Sequence, residues 1–407
     1  MTEAVVLLLG LLVYRIASVR LGDEGFALYA LCRRTHSFIA PALLMGSGVA
    51  IPRFIASSKV YSEKDADSYY KASLYLVACS TIIFVVISNL FSSYTSALMF
   101  GSHKYSDLVG PLSVLMAGYM LHLLVYSYFR GHSRMVFCNL LQLVNIAFAP
   151  LIMMYFSWTA EQALLRTGLV WTSSSLVVLI FFIWPRLKGR FSYFNLKEVI
   201  AFGVQRVPAD FGAAALFGLP ATITAHTAGV VAGGYVAFSV SLLNLSSAVF
   251  GPIGLVMLPK ASTAAACRDC NLIRLYIKNT LIAVAVVSSI ITLIFEFASI
   301  EILSLYLGRS ADIELISAAK LAIIATIPYS IYISTRSLVD SVYLRSINSQ
   351  NIFISLVVFF FILLMCTIYS HEKICSLISL VVALYALGIA TLVTCYKIVE
   401  KYNDNKS

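Results

Sequence analysis

Apolar runs long enough to cross a bilayer recur along the whole of this chain, and no other feature constrains its fold as tightly. A hydrocarbon core roughly 30 Å thick is crossed by about 20 largely apolar helical residues. The runs predict twelve spans, six in each half. The first six are Ala4–Val19, Phe26–Ile51, Ala72–Phe91, Leu108–Tyr128, Val136–Ser157 and Leu165–Trp184. The second six are Val199–Leu219, Val230–Leu258, Thr280–Phe297, Leu315–Thr335, Ile352–Tyr369 and Ile374–Tyr396. Continuous runs favour helices over a barrel, whose strands alternate apolar and polar residues. Only 12% of residues are charged, against about a quarter in a soluble domain. Such a chain lacks the polar surface to face water, and its connections are too short to hold a folded soluble domain. Its function therefore belongs inside the bilayer.

The basic residues set the expected orientation. Most of the 29 Lys and Arg fall on one side of these spans, in groups such as Arg53, Lys59, Lys64 and Lys71, or Arg186, Lys188, Arg190 and Lys197. The other side receives Arg20, Lys104, Arg166, Arg309 and Lys373. The positive-inside rule places the rich side, with both termini, in the cytoplasm. This surplus predicts headgroup contact and calls for no nucleic acid. The first run has no basic lead-in or cleavage site and reads as a span, not a signal peptide. Eight scattered cysteines include one CxxC pair, Cys267 and Cys270, which reads as reduced thiols and not as a zinc site.

Displaced by 207 positions, the chain matches itself without gaps. Gly22 meets Gly229, Pro52 meets Pro259, Tyr69 meets Tyr276, Lys71 meets Lys278, Gly101 meets Gly308 and Leu108 meets Leu315. The matches fall at loops and helix ends, where apolar composition alone does not create them. Lobes 1–196 and 197–407 thus form two six-helix bundles. Six spans is an even number, so the expected fold is all-α, with a pseudo-two-fold along the membrane normal. Parallel repeats of this kind are a transporter architecture. Helix Val230–Leu258 carries Gly251, Pro252 and Gly254 and is expected to break near that end.

Five cations fall within the spans: Arg15, Arg33, Arg34, Arg206 and Lys320. An ionised side chain at mid-bilayer costs about 2.5–3.5 kcal/mol even on insertion scales. Such residues face a cavity or a partner. Arg33 and Arg34 lie about 10–12 Å inside the second span at 1.5 Å per residue, too deep to snorkel easily. His36 shares a face with Arg33. Asp210 lies one turn beyond Arg206, with Pro208 between them predicting a kink. It either neutralises Arg206 or couples an ion. Arg15 lies close enough to the outer end to snorkel. His226 reads as a loop residue. Guanidinium groups bind phosphate oxygens bidentately, so this set predicts a phosphorylated substrate held by Arg15, Arg33, Arg34, Arg206 and Lys320. No nucleotide-binding or metal motif occurs, so no cofactor or metal is expected.

Three segments carry a family resemblance. Leu21–Leu31 (LGDEGFALYAL), Gly48–Ala56 (GVAIPRFIA) and Phe129–Asn139 (FRGHSRMVFCN) resemble helix ends and turns of polysaccharide flippases. These belong to the multidrug/oligosaccharidyl-lipid/polysaccharide exporter superfamily. The resemblance spans the whole chain and implies a Wzx-type flippase, not an enzyme. Its implied cargo is an undecaprenyl-diphosphate-linked oligosaccharide, for O-antigen or a related glycan of lipopolysaccharide biosynthesis. It would move this cargo from the cytoplasmic to the periplasmic leaflet of a bacterial inner membrane. Implied partners are membrane lipids, a glycan polymerase and chain-length machinery. The lead-in Met1–Glu3 is shorter than the resemblance implies. A multidrug or cation antiporter of the same superfamily is the rival, and it would require essential acids in its cavity.

Overall fold

A computed structural model describes residues 2–58, 63–254, 257, 270–342, 347–369 and 374–404. Cys267, Pro259, Leu258, Lys260, Lys59 and Lys373 lie outside these, so the CxxC pair, the Pro52–Pro259 match and the end of the eighth span rest on sequence alone. All secondary structure among the described residues is helical.

In the first half α1 is Thr2–Arg20, α2 Gly22–Leu44, α3 Ser47–Ser58, α4 Glu63–Leu90 and α5 Ser92–Phe100. They are followed by α6 Val109–Gly131, α7 Met135–Gln142, α8 Ala149–Tyr155 and α9 Ala160–Val177, and α10 Tyr193–Ala228 carries the chain into the second half. Wide π-helical turns, Leu143–Phe148 and Val178–Ile183, join α7 to α8 and extend α9. In the second half α11 is Val230–Ala248, α12 Cys270–Phe297, α13 Ser299–Leu307 and α14 Ile313–Ile324. The last three are α15 Thr326–Val342, α16 Ile347–Tyr369 and α17 Cys375–Asp404.

Among the described residues, nine helical stretches are long and apolar enough to span a membrane, and eleven if two bent pairs are each one span. These eleven overlap the second to twelfth expected spans, and the first lies in α1. The chain is a multi-pass membrane protein. One bend was not legible in sequence: α2 and α3 meet at 44°, where Met45 and Gly46 both take positive φ. The other, 42° between α14 and α15, falls at Ala325. The expected break in the eighth span is present, as α11 ends at Ala248 and a turn follows at 249–250. At Pro208 the helix is not interrupted, because α10 runs for 36 residues through it. His226 lies in the last turn of α10 and not in a loop.

The repeat is written into the backbone. The same offset of 207 that aligns the sequence carries both ends of α4 onto α12 and both ends of α5 onto α13. Gly22, Gly229, Gly101 and Gly308 all have positive φ, at 68°, 92°, 72° and 72°. Side chains rarely adopt that conformation, so the matched glycines hold matched turns.

The chain divides into two compact units, and the division falls within α10. The first is Met1–Gly218 with Gly229–Gly234 and Tyr306–Arg309. The second is Leu219–Ala228, Tyr235–Leu305 and Ser310–Ser407. In the first unit, glycines seat neighbouring helices directly on the α2–α3 segment. A Cβ on Gly203 of α10 would collide with the Met45 carbonyl oxygen, and one on Gly234 of α11 with the Ala27 backbone. Phe38 of α2 packs its ring 4.9 Å from that of Phe211 of α10. The second unit packs Ile273 and Ile277 of α12 with Leu338 and Val339 of α15 and Cys395 and Ile398 of α17. Ile82, Ile83 and Ile87 of α4 and Phe360, Phe361 and Leu364 of α16 remain exposed, as surfaces solvated by lipid tails do.

Candidate functional site

The interior of the first unit holds a polar string where a bundle of this kind is otherwise apolar. It starts on α2, where Tyr29, Arg33 and His36 recur at the i, i+4, i+7 spacing of one helix face. A side-chain hydrogen bond joins Arg33 to Tyr29, and the phenols of Tyr14 and Tyr119 lie within electrostatic reach of its guanidinium. Tyr14 of α1 meets Tyr29 edge-on, with ring centroids 6.0 Å apart. Arg34, only 9% exposed, is rotated by about 100° from Arg33 on the same helix. It belongs to the face of Ala27 and Phe38, the residues that meet α11 and α10. The two arginines therefore lie on adjacent faces of α2.

His36 is 6% exposed and stands 4.4 Å from the Tyr119 ring of α6, edge to face. Trp171 of α9 closes the group, 5.5 Å from Tyr119. The buried Nε2 of His36 has no hydrogen-bond partner. An unpaired buried polar atom carries a desolvation cost of about 1–3 kcal/mol, which a bound group would relieve.

One turn along α6 from Tyr119, His122 places Nδ1 3.0 Å from the Asn145 amide. Asn145 lies in the π-helical turn Leu143–Phe148. A π turn shifts the backbone register and leaves carbonyls free for other donors, and the Trp171 indole N–H donates to the Asn145 carbonyl. Ser174 donates to the Asn145 side-chain oxygen at 2.7 Å, and the Asn145 amide donates to Ser175 at 3.3 Å. Asn145 thus ties α6 to α9 through both side chain and backbone.

The remaining expected site residues lie apart from this string. Arg15 is exposed, and its Nε lies 3.4 Å from where a Cβ on Gly308 would stand. Arg206 is exposed on α10 and pairs with Asp210 at 2.9 Å, as neutralisation requires. Lys320 belongs to the second unit, 3.9 Å from Glu296. The structure gathers Tyr14, Tyr29, Tyr119, His122, Asn145 and Trp171 about Arg33 and His36, with Arg34 on another face of α2. Nothing in the sequence singles out those six, because aromatic and amide residues are ordinary components of membrane helices.

A second charged group crowns the first turn of α2. Asp23 pairs with Arg309, and Glu24 accepts from Lys104 at 2.9 Å and from Tyr105 at 3.0 Å. Lys104 and Arg309 each follow one of the matched glycines, Gly101 and Gly308. The residues DE of the LGDEG segment therefore grip both repeated turns, and Ser18 donates to the Leu307 carbonyl beside them.

Chemically, the string offers guanidinium, phenol and imidazole donors in a site closed by aromatic rings. Such a set suits anionic oxygens, each charge-assisted bond contributing about 1.5–3 kcal/mol.

No family model matches this chain, and no curated protein matches it in sequence. Solved structures do match in fold. One is an inward-facing multidrug resistance MATE transporter of the MOP superfamily, with TM-score 0.84 and 14% identity, covering 98% of this chain and 96% of the other. A second is the lipid II flippase MurJ in an inward closed conformation, with TM-score 0.75 and 13% identity over 99% of this chain and 89% of that one. A third is a MOP superfamily transporter from Pyrococcus furiosus, described by the reversed polarity of its binding pocket. It has TM-score 0.67 and 14% identity over 100% and 94% of the two chains. The chain has the fold of these membrane transporters. Its neighbours are transporters and a flippase, none of them described as an enzyme.

Proposed function

We propose that this protein is a flippase for an undecaprenyl-diphosphate-linked oligosaccharide, the repeat unit of O-antigen or a related glycan. It works in a bacterial inner membrane with both termini in the cytoplasm, where the basic loops place them. Lobes 1–196 and 197–407 alternate access, while the lipid tails stay in the bilayer and the headgroup crosses. The observation that carries this reading is the deep arginine pair of α2, Arg33 with its phenols and buried Arg34. The fold shared with MurJ supports it. Arg33, Arg34 and Arg206 hold the diphosphate, and Arg15 and Lys320 assist. Each negative charge leaving a cytoplasm 100 mV negative gains about 2.3 kcal/mol, so a dianion moves outward without an obligatory proton.

The test follows lipid-linked glycan in a strain deleted for the protein. Wild type should restore exposure on the outer leaflet, and Arg33→Ala/Arg34→Ala at equal abundance should not. Full activity of the double variant would overturn the role of these arginines.

The likeness to MATE transporters, with TM-score 0.84, favours a second reading, multidrug or cation antiport. Asp210 is the acid such a cycle would use. Deletion that leaves glycan export intact but raises drug sensitivity would establish this reading in place of the first. Under the flippase reading, Asp210→Asn transports normally across a range of pH and sodium, and a lost cation dependence would assign Asp210 the coupling role.

A further inference from the structure

At the end of the first unit opposite the Asp23–Glu24 crown, α4 and the segment after α9 enclose a groove of about 350 Å³. Lys71, Leu74, Tyr75 and Ala78 of α4 form one wall, and Trp184 and Phe191 the other. Tyr75 and Phe191 meet edge to face at 5.0 Å, and the Lys71 ammonium lies 5.6 Å from the Trp184 ring. We propose that this groove binds one anionic phospholipid, its acyl chains along α4 and its phosphodiester headgroup at the loop after Trp184.

The loop is built and pinned. Asp67 accepts from the backbone N–H groups of Lys188 and Gly189, at 2.8 and 3.1 Å. One turn along α4, Lys71 donates to the Gly189 carbonyl at 2.7 Å. The two side chains, i and i+4 on one face, grip the same peptide segment from opposite polarities. The loop they hold presents Arg186, Lys188 and Arg190, all exposed. Asp67, the acid at this loop, is 7% exposed and occupied by the two N–H groups. The Arg186 guanidinium donates to the Phe182 carbonyl, and Lys188 and Arg190 stand exposed on the same pinned loop.

The surroundings define the occupant. Above the groove, Tyr75, Cys79, Ile82 and Val86 follow one another at i, i+4, i+7 and i+11, and all four are exposed. That stripe faces hydrocarbon and offers a track for acyl chains. Trp184, Phe191, Tyr193 and Phe194 are exposed around the loop, as aromatic side chains are at headgroup level. A mostly apolar groove with Lys71 at its wall, beside a loop that carries three exposed cations, matches the charge and shape of an anionic lipid. Each surface cation favours an anionic over a zwitterionic lipid by about fivefold. The proposal requires only that the chain spans a membrane and stands apart from the flippase reading.

Trp184 provides the probe. The full chain is reconstituted in phosphatidylcholine vesicles doped with phosphatidylglycerol or phosphatidylcholine carrying brominated acyl chains, which quench indole fluorescence on contact. The Trp184 contribution is the difference between wild type and Trp184→Phe. Brominated phosphatidylglycerol should quench it at a several-fold lower mole fraction than brominated phosphatidylcholine. Arg186→Gln/Lys188→Gln/Arg190→Gln should abolish that preference and leave quenching by phosphatidylcholine unchanged. Ala78→Phe, which fills the groove, should weaken quenching by the anionic lipid with the loop charges intact. Equal potency of the two lipids in wild type would overturn the proposal, as would a preference that survives the triple substitution or is unaffected by Ala78→Phe. Release of the lipid by excess inorganic phosphate would also overturn it, since a free ion would then suffice.

Discussion

Helices α2 and α11 are the same element twice, and they differ where it matters. Each begins at a glycine of positive φ, Gly22 or Gly229, and each breaks at a turn before its span is complete, at 45–46 or 249–250. In register, Val240, Ser241 and Leu243 of α11 stand where α2 has Arg33, Arg34 and His36. Val240 and Leu243 are fully buried, so the second copy packs hydrocarbon where the first holds charge. A positive-φ turn is a steric requirement that tolerates few residues, and it survives in both copies. Side chains along a span are constrained only by volume and polarity, and these have diverged. The repeat therefore conserves the scaffold, while α11 does not repeat the cations of α2.

The most severe way to break this comparison is to move the charge. Val240→Arg should prevent accumulation of folded protein, because it puts a charge where a fully buried aliphatic side chain stands and costs about 2.5–3.5 kcal/mol or more. Expression followed by size-exclusion chromatography in detergent checks it. Gly234→Leu should be comparably damaging, since it drives a side chain into the Ala27 backbone. It should fail the same assay.

Next comes the chemistry of the first copy. Arg33→Ala/Arg34→Ala should lower glycan exposure by about 10- to 100-fold for each charge-assisted bond lost. Ser241→Ala, at the matched position of α11, should leave it at the wild-type level. Equal losses at both positions would erase the asymmetry between the halves.

Asn145→Ala should lower stability by about 1–3 kcal/mol, because it removes the hydrogen bonds to His122, Ser174 and Ser175 together. A fall in the thermal midpoint with the oligomeric state unchanged is the expected observation. Smaller still, Gly22→Ala and Gly229→Ala should each cost about 1–2 kcal/mol. The two costs should be alike, since each turn has open space around its Cβ position and pays only for φ. Unequal midpoints would argue against equivalence of the turns. Lys104→Ala, on the well-exposed pair with Glu24, should leave the midpoint unchanged within error, as surface ion pairs contribute little.

Much of this molecule is legible without coordinates. The spans follow from run length, and the repeat follows from glycines and loop residues that composition does not dictate. The arginine pair of α2 also declares itself, because charge in the bilayer is rare enough to be read one residue at a time. Other features are silent. The α2–α3 bend falls at Met45 and Gly46, where one glycine in an apolar run gives no distinctive signal. The tyrosines and tryptophan around Arg33 and His36 are scattered over four helices. Asp67 and Lys71 read as ordinary interfacial charges until the Gly189 peptide is found between them.

By itself, then, the sequence determined that the chain is a bundle of membrane helices, doubled, with cations in its second span. Its tertiary structure alone decided that Arg33 meets Tyr29, that His36 faces Tyr119 and Trp171, and that Asn145 joins α6 to α9. The physical reason lies in the solvent. In water, apolar periodicity tells a helix which side faces the core, but lipid tails are as apolar as a protein interior. A span in the bilayer therefore announces its length and its charges, while its neighbours are chosen by close packing and a few hydrogen bonds between distant residues.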